Sequence, residues 1–269
     1  MPTVAELTEL YSNFMLGPRA GPDVCTTCFN FTRAYHRCYA CVHGPSWLDA
    51  VAPVSYSVAR EQLHQALASY KRLTGEVARR LQVELGAVLW RFLADHEPCV
   101  ARAAGTPGFT VVTTVPSGVR ARDEGHPLRH IVGELVGPTR ARHERLLRRS
   151  AIELPAREPS AGKYEVARRL HGEAVLVIDD TWTTGASAQS AAAALRCAGA
   201  GPVAAVVIGR HVNREWHYND HLLRAIARPF DWSRCALCAG AGRSVEASSR
   251  DRHQHTGHRA DGSSVLRFR

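Results

Sequence analysis

Val175-Leu-Val-Ile-Asp179-Asp180-Thr181-Trp182-Thr183-Thr184-Gly185-Ala186-Ser187 is the stretch on which the fold turns. Four successive aliphatics, preceded by Ala174, make a run with no polar alternation, as expected of a strand buried on both faces. The alanine-rich residues 187–198 predict a helix, stopped by Gly199, Gly201 and Pro202. Residues 203–208 predict the next strand. Strand, glycine turn, helix and strand form a βαβ unit, and such a unit implies a parallel sheet in an α/β domain.

Asp179 and Asp180 then stand at the carboxyl end of a buried strand, where open α/β sheets bind ligands. The hydroxyls and Gly185 that follow open a helix, whose backbone N–H groups and dipole favour a phosphate dianion. Carboxylates directly before such a cradle would repel the phosphate. They make sense facing another part of the ligand, such as vicinal ribose hydroxyls. The plainer alternative is an acidic pair at the N-terminus of a helix in an ordinary α/β domain.

This turn resembles the motif with which type I phosphoribosyltransferases bind 5-phosphoribosyl diphosphate (PRPP). Trp182 occupies a position that the family usually gives to a small or branched aliphatic residue. The resemblance implies the parallel-sheet type I phosphoribosyltransferase fold. It also implies contacts from Asp179 and Asp180 to the ribose hydroxyls, and a 5′-phosphate wrapped by Thr181, Trp182, Thr183, Thr184, Gly185, Ala186 and Ser187. Mg2+ would bridge the ribose hydroxyls and the diphosphate. Residues 109–115 are β-branched and end at Pro116, a strand signal. The Ser117-Gly118 turn after them looks like the family's pyrophosphate loop. Arg120 and Arg122 beyond it would bind diphosphate oxygens through their planar forks, or else serve as solvated loop charges. Lys71 sits where related proteins carry a lysine near the ligand, as a phosphate contact; the alternative is a stem lying along a helix face.

Six of the eight cysteines fall into C-x2-C pairs: Cys25/Cys28, Cys38/Cys41 and Cys235/Cys238. The first two pairs are close enough to close around one tetrahedral zinc, the staple a short segment without its own core needs. His36 and His43 lie nearby as substitutes. Cys235 and Cys238 form a candidate second metal pair, completed by His253, His255 or His258, or by joining the N-terminal cysteines in space. Cys99 and Cys197 read as small buried hydrophobes.

A four-cysteine ribbon ahead of a PRPP-like turn resembles the ComF family of phosphoribosyltransferase-like proteins associated with competence. The likeness covers residues 25–210, and its specific parts are the ribbon and the turn. It departs after the pyrophosphate loop, where the family carries an Arg-Gly-Phe-Asn-like stretch and this chain reads Asp123-Glu-Gly-His-Pro127.

In all, 269 residues with 45% apolar and 22% charged content suffice for one substantial core plus an appendage, and exclude a wholly disordered chain. Apolar runs fall far short of the roughly 20 residues that cross a bilayer. No secretory leader is visible, so a cytoplasmic protein is expected. The division expected is an N-terminal helix and ribbon over 1–45, an α/β domain over 50–230, and a basic Cys/His tail over 231–269. Helical periodicity extends over residues 58–94, with a loop over 95–108 and a helix over 126–136. Thr3 and Glu6 predict a capping box for a first helix over 3–16.

The charge of +9 is carried almost wholly by arginine, since the only lysines are Lys71 and Lys163. Such an excess suits an anionic partner, a polyphosphate or nucleic acid, or reflects solvated faces. Two functions are therefore expected in turn. One is a PRPP–Mg2+-binding enzyme that transfers phosphoribosyl to a nitrogenous acceptor. The other is a ComF-like non-catalytic protein that handles single-stranded DNA or other nucleic acid, as in DNA uptake, or senses PRPP. Trp216, beyond the last strand, would stack on a base or pack against the fold.

Overall fold

The computed structural model describes residues 2–117, 123–155, 157–216 and 218–238. Its centre is the sheet that the aliphatic runs foretell. β1 (Ala50–Val58), β2 (Val111–Thr114), β5 (Val175–Trp182) and β6 (Val203–Val212) lie in the order β1-β6-β5-β2. All three pairings are parallel, with Val175 opposite Val203 and Val51 opposite Ala205. A separate antiparallel pair, β3 (Leu147–Arg149) and β4 (Tyr164–Val166), arises within the basic middle of the chain.

Helices cover both faces. α1 (Val4–Ser12), α3 (Gln62–Ser69) and α4 (Gly75–Ala103) pack on one. There Leu85, Val88, Leu89 and Phe92 of α4 meet Leu176, Ile178, Val206 and Ile208. α7 (Ala186–Cys197) and the N-terminal cysteines lie on the other, against Val175, Val177, Ala205 and Val207. The alanines that make α7 a strong helix also keep its face thin, so that it lies close to the sheet. Among the described residues the other α-helices are short: α2 (Tyr39–His43), α5 (Pro127–His130), α6 (Gly137–Arg140) and α8 (Asn219–Arg224). No helix among the described residues is long and apolar enough to cross a membrane.

The Thr3–Glu6 capping box forms as expected, although α1 ends at Ser12. Residues 50–58, for which no strand was expected, form a fully buried strand that carries Pro53, tolerable because β1 is the sheet's edge. Two other expectations change. The loop expected over 95–108 is helix as far as Ala103. Pro98 sits there on the exposed side of α4, where water can satisfy the carbonyl that loses its partner, while Val100 and Ala101 stay buried. The helix expected over 126–136 is α5 followed by a π-helical turn, Ile131–Leu135, whose Val132 carbonyl accepts from the Thr139 hydroxyl at 2.6 Å.

Candidate functional site

The β5–α7 turn forms where the sequence places it. Gly185 precedes α7 at φ +84°, in the left-handed region, and a Cβ there would fall 2.2 Å from the Trp182 ring. Glycine is thus required twice over, by backbone and by the close approach of the indole. Trp182 is 3% exposed and packs inward with Val177 and Val207. It underlies the turn and does not project from it.

Above the indole opens a cavity of about 330 Å³, lined by Asp179, Thr181, Thr183, Thr184, Ser187 and Arg157 among others. Gly185 and Ala186 also line it, so every residue assigned to a 5′-phosphate borders one hollow at the N-terminus of α7. Arg157 was not read from the sequence; it lies in the basic stretch, which has no periodicity to mark it. Tyr164 is buried beside Ser187 and Arg149, and burial chiefly pushes its phenol up to about 12.

Strand alternation divides the two carboxylates. Asp179 shares the face of Val175 and Val177 and lines the cavity. Burial, followed by repulsion from Asp180, raises its pKa to about 8, and its Oδ1 accepts the Asp180 N–H at 2.9 Å. Asp180 shares the face of Leu176 and Ile178 and is 3% exposed. It accepts a hydrogen bond from the Tyr70 hydroxyl and pairs with Lys71. Lys71 therefore does come to the acidic pair, but as a partner of Asp180. Burial and the nearby Asp180 hold the Tyr70 phenol well above its ordinary range. His126 lies within the field of Asp180 and is kept below its ordinary pKa mainly by burial; it was not read from the sequence.

The strand preceding the expected pyrophosphate loop is β2. The Ser117 amide donates to the Asp123 carboxylate at 3.0 Å, and Asp123 is itself paired with Arg129 at 2.6 Å. Asp123 thus bonds the last residue described before Gly118. Gly118, Arg120 and Arg122 lie outside the described residues.

The N-terminal cysteines converge. Cys25, Cys28, Cys38 and Cys41 place their sulfurs within 4.8 Å of one another, a set that can hold a metal ion such as zinc. Both knuckles are shaped by their own backbone: Cys25 N–H donates to Asn30, Phe29 N–H to Cys25, and Cys41 N–H to Cys38. Phe29 takes φ 56° to make the first turn. His36 and His43 are not in the set; His43 stacks on Tyr39 instead, at 4.4 Å.

Arg210 joins ribbon and turn. It is 4% exposed, and its guanidinium donates to the carbonyls of Cys28 at 3.0 Å and of Trp182 and Thr183 at 3.1 Å. Nη2 lies 3.9 Å from the Cys28 sulfur. An arginine beside His211 at the end of an aliphatic strand reads only as a break in pattern, and nothing in the local spacing marks this role.

Cys235 and Cys238 do not join the N-terminal cysteines. They meet His96 and Cys99 of α4, which corrects the reading of Cys99 as a small hydrophobe. Cys197, expected to be buried, is exposed at the end of α7. Trp216 is 65% exposed. His253, His255 and His258 lie outside the described residues. No family model, curated protein or solved structure matches the chain.

Proposed function

We propose that the chain is a type I phosphoribosyltransferase-like protein of the ComF kind, which binds PRPP at the β5–α7 turn. The observation that carries this reading is the cavity at the N-terminus of α7, where Thr181, Thr183, Thr184 and Ser187 line a hollow together with Asp179 and Arg157. An anion suits the helix N-terminus and the arginine. A sugar hydroxyl suits Asp179, which can donate while protonated and accept once ionised.

Asp179 and the Thr181 and Thr183 hydroxyls offer the oxygen donors that Mg2+ takes. Bound with PRPP, that ion would neutralise charge gathering on a departing diphosphate. The residues themselves would orient the ribose phosphate and keep its C1 open to a nitrogenous acceptor. Calorimetric titration of PRPP, with and without Mg2+, tests the reading. Magnesium-dependent binding should weaken at least tenfold in Asp179→Asn, which loses the carboxylate at the cavity. A smaller loss is expected in Asp180→Asn, whose carboxylate faces Tyr70 and Lys71. No heat with PRPP, or equal affinity in wild type and Asp179→Asn, would remove the assignment.

A second reading, nucleic-acid handling, is favoured by a different surface. Beside the ribbon, a cavity of about 420 Å³ is lined by Phe31, Arg33, Tyr35, Arg37, Tyr39 and Tyr218, among others. Tyr35, Tyr39 and Tyr218 are 70%, 81% and 64% exposed. Exposed rings interleaved with arginines can stack bases of a single strand. Salt-dependent binding of a single-stranded oligonucleotide, lost in Tyr39→Ala, would favour this reading over the first.

A further inference from the structure

We propose that His96, Cys99, Cys235 and Cys238 form a second zinc site, which clamps the 230–238 segment to the C-terminal end of α4. The four donor atoms lie within 4.8 Å of one another. They come from two segments far apart in sequence. His96 and Cys99, three residues apart on α4, share one helix face. Cys235 and Cys238 form a knuckle in which each N–H approaches the other's sulfur, at 3.4 and 3.3 Å. Amides directed at sulfur stabilise a thiolate, the form in which cysteine binds metal.

The histidine provides the decisive chemistry. Its Nε2 is 2.8 Å from the Trp232 carbonyl oxygen. A carbonyl can only accept, so the proton sits on Nε2 and the Nδ1 lone pair is free. Nδ1 lies 3.4 Å from the Cys238 sulfur, which is in turn 3.3 Å from Cys99 and 3.1 Å from Cys235. A backbone carbonyl holding one imidazole nitrogen while the other faces thiols is the outer-shell arrangement of a histidine metal ligand. A redox pair of cysteines needs neither the third thiol nor an oriented imidazole. Three sulfurs and one nitrogen make a closed, soft donor set that suits tetrahedral zinc and not Mg2+ or Ca2+. His96 and Cys235 are 4% and 5% exposed, so little water competes.

The surroundings hold the clamp in place. Trp232 Nε1 donates to the Ser12 hydroxyl at 2.8 Å, the Arg91 guanidinium lies 4.5 Å from the centre of the indole, and the Phe230 amide donates to Ser12 at 2.7 Å. α1, α4 and the 230–238 segment thereby meet at the site. Zinc there would fix to α4 the described part, residues 231–238, of the basic tail expected over 231–269.

The test is the zinc content of the full chain, purified under reducing conditions and measured by elemental analysis and native mass spectrometry. Two zinc ions per chain are expected in the wild type. One should remain in Cys235→Ser/Cys238→Ser, and one in Cys25→Ser/Cys28→Ser. One ion in the wild type, or two retained in the Cys235/Cys238 variant, would overturn the proposal. X-ray absorption of the zinc-loaded wild type decides the matter even where a variant fails to fold. Seven sulfurs and one nitrogen over two sites are expected; an all-sulfur shell would overturn it.

Discussion

The four-cysteine ribbon and the β5–α7 turn are each written in one short stretch of chain, yet they gather their groups in opposite ways. In the ribbon, four sulfurs from residues 25–41 converge within 4.8 Å. In the turn, two adjacent carboxylates diverge, Asp179 to the cavity and Asp180 to Tyr70 and Lys71. The ribbon has no regular strand and only the short helix α2, and reaches the core through its buried cysteines. The turn rests on a strand whose first four residues are fully buried and on a helix, and can keep a carboxylate in an unfavourable setting. One region gathers donors that can hold a metal ion; the other spreads its carboxylates between a cavity and the core. Arg210, bonded to carbonyls of both, is where the two meet.

The largest effect that would break this contrast is removal of a ribbon ligand. Structural zinc contributes about 10–16 kcal/mol of apparent binding free energy in short zinc-dependent segments. Cys25→Ser should therefore unfold residues 23–43 while β5 and α7 keep their hydrogen-exchange protection. Equal protection of the ribbon in variant and wild type would mean that it folds without metal.

Arg210→Met comes next. It leaves the carbonyls of Cys28, Trp182, Thr183 and His211 short of a donor, the first two of them buried, and removes the positive charge beside the Cys28 sulfur. Breaking a buried charged contact of this kind costs about 3–5 kcal/mol. The expectation is a lowered melting temperature together with faster exchange at both residues 25–41 and 181–185. Loosening of only one of the two would show that Arg210 supports that region and does not couple them.

What could be read in advance follows the same division. The turn and the ribbon were legible because the aliphatic run, the glycine and the cysteine spacing all act over a few residues. Trp182 was visible as a departure, but only the inward packing against Gly185 explains its presence. Partners across the sheet were not legible. Arg157 reaches the cavity from an aperiodic stretch, and Arg210 reads as a break in a strand. His96 and Cys99 lie in the stretch 95–108 that was expected to be a loop. Their use depends on α4 continuing through Pro98 on its solvent side, something decided by the packing of Val100 and Ala101.

The smallest effect sharpens the contrast at a single carboxylate. Burial, then Asp180, raises Asp179 from an ordinary value of 3.8 to about 8. The folded state thus holds this proton more tightly than the unfolded chain does. The stability it confers is fully present below about pH 4 and declines as pH rises toward 8. Asp179→Asn has no such proton to lose. Its melting temperature should pull ahead of the wild type's as pH rises between pH 5 and pH 8, and the gap should stay level above that range. PRPP binding should be weakest in the same variant, since the group that costs stability is the one that faces the ligand. A melting-temperature gap independent of pH would show that Asp179 ionises freely, and that the turn stores no electrostatic strain for a ligand to relieve.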